Sequence, residues 1–269
     1  MEPTSVKIAA VQMVSTPDVA ENFATARRLV TDAAQQGAQL VLLPEYWSLM
    51  AMHEADKVGH AEQHDGGPIQ QFMADLAREH QVWLIGGTLP MVAAAPDKVM
   101  NTMMVYGPDG ERAMRYDKIH LFSFTQGEES YDEGRTIVAG AEVATFEAPF
   151  GKVGLSVCYD LRFPELYRAM GDCSLIVVPA AFTYTTGKAH WEILLRARAI
   201  ENQCYVLAAA QGGQHRNGRR TWGHSMLIDP WGEIKAVLAE GEGVVIGDLE
   251  PHRLQRVRDS LPALKHRKL

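Results

Sequence analysis

Short apolar runs alternate with helically spaced stretches over most of the chain. Val6–Met13 (VKIAAVQM) predicts a buried strand. Pro17 then opens a helical stretch in which Phe23, Ala26, Val30 and Ala33 share one face, and proline suits a first turn. Gln39–Leu43 predicts the next strand, which runs straight into Pro44-Glu45. A loop with glycine and histidine follows at Gly59–Gly67. Pro68 then starts the clearest amphipathic helix, with Ile69, Phe72, Met73, Leu76 and Ala77 on one stripe.

Val82–Thr88 predicts a strand, and Val99–Tyr106 with Glu111–Tyr116 a hairpin across Gly107-Pro108-Asp109-Gly110. Lys118–Gly134 reads as a polar loop. Further strands are expected at Ile137–Phe146, Lys152–Val157, Ser174–Val178 and Tyr205–Ala210, and helices at Phe163–Met170 and His190–Gln203. A second hairpin, Gly223–Ile228 with Glu233–Leu238, precedes a last strand at Val244–Leu249. Several strands are apolar on both faces, as in sheets covered on both sides. No repeat and no Pro/Gly/Ser-rich linker interrupts the pattern, so residues 1–269 read as one α/β domain.

Composition narrows the function classes. Apolar residues make up 46% and charged residues 22%, enough for a large core. Twenty-six basic against thirty-three acidic residues give a net charge of −7, which argues against nucleic acid as a partner. The basic stretch Lys265–Lys268 is too short to change that. No apolar run approaches the roughly 20 residues of a membrane helix, and the start MEPTSVKIAAVQM has no basic leader, so no membrane role or signal peptide is expected. Cys158, Cys173 and Cys204 are odd in number and unevenly spaced, which points to a reducing, cytoplasmic setting.

In α/β folds ligands bind beyond the carboxyl ends of strands. Here those ends carry Pro44-Glu45, Cys158-Tyr159-Asp160, Pro179-Ala180-Ala181-Phe182-Thr183 and Gln211-Gly212-Gly213, while Lys118 follows the first hairpin. A thiol, a carboxylate and an ammonium together can carry out acyl transfer. Each residue also has a plainer reading: a buried small hydrophobe for the cysteine, a helix-start acid for Glu45, a solvated charge for Lys118. Cys173 and Cys204 fit the plain reading, Cys204 on an apolar face with Ile193, Ala197 and Ile200. Cys158 differs, because polar residues follow it at once. A Cys–His pair using His120, His190 or His224 is chemically equivalent on these grounds. His60 and His64, with Asp65, would suit a metal only on a helix, and they fall in a loop without an HExxH core. Glu192 and Arg196 form an i, i+4 pair that reads as helix support.

Pro44-Glu45, the run Tyr116–Phe122 (YDKIHLF) and the run Gly154–Glu165 (GLSVCYDLRFPE) resemble, in order, the three motifs of the nitrilase superfamily of carbon–nitrogen hydrolases. The resemblance extends from about Val6 to about Arg267. It implies Glu45, Lys118 and Cys158 as the catalytic set in place of a Cys–His pair, and a four-layer αββα sandwich. It implies no metal and no organic cofactor, and subunits that pair into a homodimer or larger assembly. A second catalytic glutamate of the family matches Glu133, in Tyr131-Asp132-Glu133-Gly134, with Glu128 and Glu129 as weaker matches. The loop Ser123–Asp132 departs from the family pattern, with Ser123 where an aspartate is frequent, and is expected to border the pocket.

The segments His190–Gly213 and Gly223–Met226 with Asp229–Gly232 look most like the Nit branch, whose members act on deaminated glutathione and on ω-amides of 2-oxo acids. The resemblance therefore implies a small-molecule amide substrate, deaminated glutathione first. The expected mechanism is thiol attack by Cys158, with Glu45 as base, departure of ammonia, and a thioester hydrolysed by water. Lys118 and the backbone N–H of Tyr159 would hold the oxyanion. Arg162, by similarity to carbamoylases, would grip a substrate carboxylate, with Phe182 and Thr183 beside it; its plainer reading is a structural ion pair. The rivals are an omega-amidase on 2-oxoglutaramate or 2-oxosuccinamate, an N-carbamoyl amino acid hydrolase, and a protein that keeps the fold but only binds partners.

Overall fold

The protein is described from a computed structural model covering residues 5–127 and 129–268. The first half runs β1 (Val6–Gln12), α1 (Val19–Gln35), β2 (Leu40–Leu42), α2 (Asp56–Gly59), α3 (Pro68–His80), β3 (Trp83–Ile85), β4 (Leu89–Val92), β5 (Val99–Tyr106), β6 (Arg112–Asp117), β7 (Ser123–Gln126), β8 (Glu129–Asp132) and β9 (Ile137–Val138). The second half runs β10 (Thr145–Ala148), β11 (Gly151–Leu155), α4 (Pro164–Ala169), β12 (Leu175–Ala180), α5 (Tyr184–Asn202), β13 (Tyr205–Ala210), β14 (Ser225–Ile228), β15 (Ile234–Leu238), β16 (Gly243–Leu249) and α6 (Pro251–Ser260).

Strand alternation builds the layers. In β1 and β2, Ile8, Ala10, Leu40 and Leu42 point into one core, while Ala9, Val11 and Val41 point into another with α1 and α3. The helices answer with Ala26, Leu29, Val30 and Ala33 from α1 and Ile69, Met73, Leu76 and Ala77 from α3. The first sheet has the order β16-β1-β2-β3-β5-β4, with β6 and β9 also on β5; the second has the order β10-β11-β12-β13-β14-β15. The sheets meet face to face through β1, β13, β14 and β16, and α4 and α5 cover the outer face of the second. The result is a four-layer αββα sandwich. Strands β1–β3 and β11–β13 run parallel within their sheets, so their carboxyl ends gather at one end of the molecule.

Several expected boundaries move, each for a local reason. Helix α1 begins at Val19 because the Asp18 side chain accepts from the Ala20 and Glu21 N–H groups; Pro17 lies outside. The strand expected over Val82–Thr88 stops at Ile85. Gly87 there has φ +44°, and a Cβ on it would stand 1.9 Å from the Pro44 carbonyl. The polar loop Lys118–Gly134 contains the hairpin β7–β8, whose mostly exposed side chains leave no alternating apolar signal. Ile137–Phe146 is two strands, parted where Gly140 passes so close to Asp117 that a Cβ would meet its carbonyl at 2.2 Å.

Helix α5 starts at Tyr184, six residues before the expected start, because the Thr183 hydroxyl caps it by accepting from the Thr186 N–H. Its buried stripe is Trp191, Leu195, Arg198, Ala199 and Asn202. The apolar face expected to join Cys204 to Ile193, Ala197 and Ile200 does not form. Cys204 is buried, while Ile193 and Ile200 are 70% and 49% exposed. Helix α6 was not expected from the pattern; Leu254 and Val257 bury its inner side.

Candidate active site

Glu45 follows β2 in a turn, not at the start of a helix, and is 1% exposed. Its neighbour Tyr46 takes φ +57°, and the buried Trp47 donates to the Gly86 carbonyl at 2.7 Å. These contacts turn the chain so that the Glu45 carboxylate points into the gap between the sheets. Its Oε1 accepts from Lys118 Nζ at 2.9 Å and Asn101 Nδ2 at 3.0 Å, and its Oε2 from the Ala181 N–H at 2.9 Å.

Lys118 leaves β6 with its backbone pinned on both sides, N–H to the Asn101 carbonyl and C=O from the Gly140 N–H. Its ammonium is fully buried between two carboxylates, Glu45 and Glu133, the latter at 2.8 Å. Glu133 also accepts from Tyr46 Oη and the Phe122 N–H, each at 2.7 Å. Glu129 instead accepts from Thr185, and Glu128 lies outside the described residues.

Cys158 sits where β11 passes into a 3-10 turn, Cys158–Arg162, with φ +49°. A non-glycine residue there costs roughly 1–3 kcal/mol and needs its surroundings to hold it. Asp160 supplies the hold. Fully buried, it accepts from the Val157 N–H at 2.9 Å, Tyr116 Oη at 2.6 Å, and the N–H and ring of His120. The turn thereby sets the thiol within the field of the Glu45 carboxylate.

The charges set the resting state. Burial pushes the Cys158 thiol well above its ordinary pKa, and the Glu45 charge adds to this against the opposing pull of Lys118. Burial opposes the charge on Lys118, but Glu133 and Glu45 raise its pKa well above 10.5. Burial likewise opposes the charge on Glu133, yet Lys118 and the hydrogen bonds from Lys118, Phe122 and Tyr46 hold its pKa down. Cys158 thus rests as a thiol, Lys118 as an ammonium and Glu133 as a carboxylate. A thiol beside an ionised carboxylate can lose its proton as it attacks, and a fixed ammonium can receive the charge that develops.

The sequence-derived substrate residues divide. Tyr159, Phe182 and Thr183 line a narrow recess over Cys158, together with Phe122 and Thr186. Thr183 also caps α5. Arg162 stands over the rings of Tyr159 and Phe182, 5.7 and 5.4 Å from their centroids, and contacts His190 at 3.2 Å. Among the described residues it has no ion pair, so the structural salt bridge considered from sequence does not form. Beyond Phe122 opens a cavity of about 430 Å³, bordered by Tyr46, Tyr131, Glu133, Asn217 and Arg219. Ser130, Tyr131 and Asp132 of the unusual loop do border it, as expected.

The histidines proposed as alternative bases are engaged elsewhere. His120 is bound to Asp160 and stacked on Phe163, and His224 is stacked on Trp222. His64 contacts Arg115 and Arg112, and His60 caps the short α2, so the two do not share a helix face. Among the described residues, no group of three or more His, Cys, Asp or Glu side chains is placed to hold a metal.

The reading from sequence missed Asn101, Tyr46, Asp160 and Arg219. Asn101-Thr102 inside the apolar run of β5 was a visible signal, since a polar pair buried in a strand needs partners.

A four-layer αββα sandwich that buries a thiol, two carboxylates and an ammonium where its strands end has the makings of a thiol-dependent acyl-transfer site. The family described as carbon-nitrogen hydrolase matches residues 7–259, and the chain belongs to that family. It is 42% identical over 265 residues to a deaminated glutathione amidase of Synechocystis, covering 96% of this chain and 97% of that one. It is 36% identical to an omega-amidase of Mus musculus, covering 97% and 95%. The crystal structure of the C. elegans NitFhit protein superposes with a TM-score of 0.90 at 35% identity, over all of this chain and 66% of that longer one.

Proposed function

We propose that the protein is an amidase that works through a thioester on Cys158, with Glu45, Lys118 and Glu133 as its other catalytic groups. The observation that carries this is the placement of one carboxylate, Glu45, between the thiol and the buried ammonium. As the Cys158 sulfur attacks the amide carbon, its proton passes to Glu45. The oxyanion is met by Lys118 Nζ and by the N–H of Tyr159, the second residue of the 3-10 turn. The C–N bond then breaks and Glu45 returns the proton to the departing nitrogen, ammonia from a primary amide or an amine from a substituted one. Glu45 next takes a proton from water as the water attacks the thioester. The C–S bond breaks, the thiol regains that proton, and a carboxylic acid leaves.

The substrate class we favour is an ω-amide of a 2-oxo acid, with deaminated glutathione first. The higher identity to a deaminated glutathione amidase supports this order, as does a cavity with room for a peptide-like tail. Arg162, Tyr159, Phe182 and Thr183 are proposed to hold the acyl half. We further read the protein as one cytoplasmic domain whose three cysteines stay reduced, and all three stand as buried thiols. We propose a homodimer or larger assembly, supported by the exposed apolar side chains Ile193, Ile200, Trp231 and Val237.

Amides and N-carbamoyl amino acids tested for amine or ammonia release by wild type and Cys158→Ala provide the test. Turnover of 2-oxo acid amides by wild type alone is expected. Equal or reversed kcat/KM for 2-oxoglutaramate over deaminated glutathione would move the assignment to omega-amidase, and release from N-carbamoyl amino acids alone would move it to a carbamoylase.

A further inference from the structure

The cavity beyond Phe122 has a charge left over. Each acid on its wall has a cation already: Glu133 pairs with Lys118, Glu54 with Lys57, and Asp132 with Arg135. Arg219 has no ion pair among the described residues. Its guanidinium lies over the rings of Tyr46 and Tyr131, 6.0 and 5.2 Å from their centroids, and its Nε is buried without an acceptor. The Tyr131 hydroxyl is within hydrogen-bonding reach, shared with Glu129, and Glu54 faces the guanidinium as well as its own lysine. A buried donor without an acceptor is costly, and a carboxylate is the ligand that a guanidinium fork fits best.

The position is built, not incidental. The loop that carries Arg219 is tied down by His215, which bonds the Ser15 carbonyl and the Thr221 hydroxyl, and by Asn217, whose side chain donates to the Ala51 carbonyl. Asn217 Oδ1 accepts from the Arg219 N–H at 3.0 Å. Tyr46, one of the two rings beneath the guanidinium, donates to Glu133 and so links Arg219 to the Lys118 cluster by a single side chain.

We propose that Arg219 anchors a carboxylate on the leaving half of the amide substrate. The substrate would then be a dianion, its acyl half held near Arg162 and its tail reaching past Phe122. This assignment rests on the amidase reading and sharpens it, because a small ω-amide releasing ammonia has no tail to reach Arg219. The plainer alternative is that Arg219 only clamps its loop onto two tyrosines.

The test compares deaminated glutathione with the same molecule carrying a C-terminal carboxamide in place of the glycine carboxylate. In wild type the carboxylate form should have the higher kcat/KM by about 10- to 100-fold, mostly through KM, as a charge-assisted hydrogen bond to a buried partner allows. Arg219→Gln should bring that ratio close to one, and Arg219→Lys should recover only part of it, since an ammonium lacks the fork. A wild-type ratio near one would overturn the assignment without any variant, and so would a ratio that Arg219→Gln leaves intact. Calorimetric binding of both ligands to Cys158→Ala separates the two readings. Preference for the carboxylate form in a protein whose wild type hydrolyses no amide would sink the amidase reading and spare Arg219. Turnover without preference would do the reverse.

Discussion

Lys118 owes its charge to two carboxylates, and Glu133 is the one that does not touch the thiol. Glu133→Gln would keep the shape and remove half of that hold. It is expected to lower kcat roughly 100- to 1000-fold while the protein stays folded and Cys158 still alkylates slowly. Near-normal kcat with Glu129→Gln inactive would assign the role to the other glutamate. The cluster also titrates. The lowered pKa of Glu133 contributes stability that is present above its ordinary value of 4.5 and lost as pH falls through the lowered one. The raised pKa of Lys118 contributes stability that is full below 10.5 and lost as pH rises through the raised value. Glu45, Lys118 and Cys158 were legible because each ends or follows an apolar run in a motif that resembles a family's. Asn101, Asp160 and Tyr46 were not, because their role is to hold those three in place. Only the folded contacts separate a polar residue that positions a neighbour from one that faces water.

Among the elements, the loop after β13 makes the sharpest prediction. Burial pushes His215 down to about 4, so at neutral pH it is uncharged, donating from Nδ1 to Ser15 and accepting from Thr221 at Nε2. A histidine with a depressed pKa contributes stability that is full above 6.5 and is lost as pH falls toward 4, here about 3 kcal/mol in total. Urea unfolding of wild type and His215→Gln at pH 7 and pH 4.5 should show the larger acid loss in wild type; equal losses would contradict it. Helices α1 and α3 were readable because one face meets a core at a fixed repeat, and strands β1, β5 and β13 because they are short apolar runs buried on both faces. The hairpin β7–β8 was not, having little buried surface, and the start of α5 was hidden by Thr185, Thr186 and Gly187, whose weak helix propensity the Thr183 cap overrides.

For the whole molecule, the sandwich layers could be expected only from the resemblance, since local patterning gives strands covered on both faces without saying what covers them. The exposed face of α5 is where the chain would continue into a partner. Ile193 and Ile200 lie on that helix, and the turn holding Trp231 is fastened to it by Arg196 donating to the Gly232 carbonyl. Light scattering at high micromolar concentration should give a dimer or larger, shifted toward monomer by the pair Ile193→Asp and Ile200→Asp. A strictly monomeric wild type would refute the assembly. The proposed chemistry passes the acyl group through one of three buried thiols, Cys158. Cys173 is pushed up to about 11 and Cys204 is raised too, both mainly by burial. Glu45 and Lys118 act on Cys158 and on neither of these two. Mass spectrometry of enzyme quenched during turnover tests this most directly. The mass of the substrate's acyl group is expected on the Cys158 peptide and is expected to be absent in Cys158→Ala. The same adduct on Cys173 or Cys204, or turnover that persists in Cys158→Ala, would contradict it.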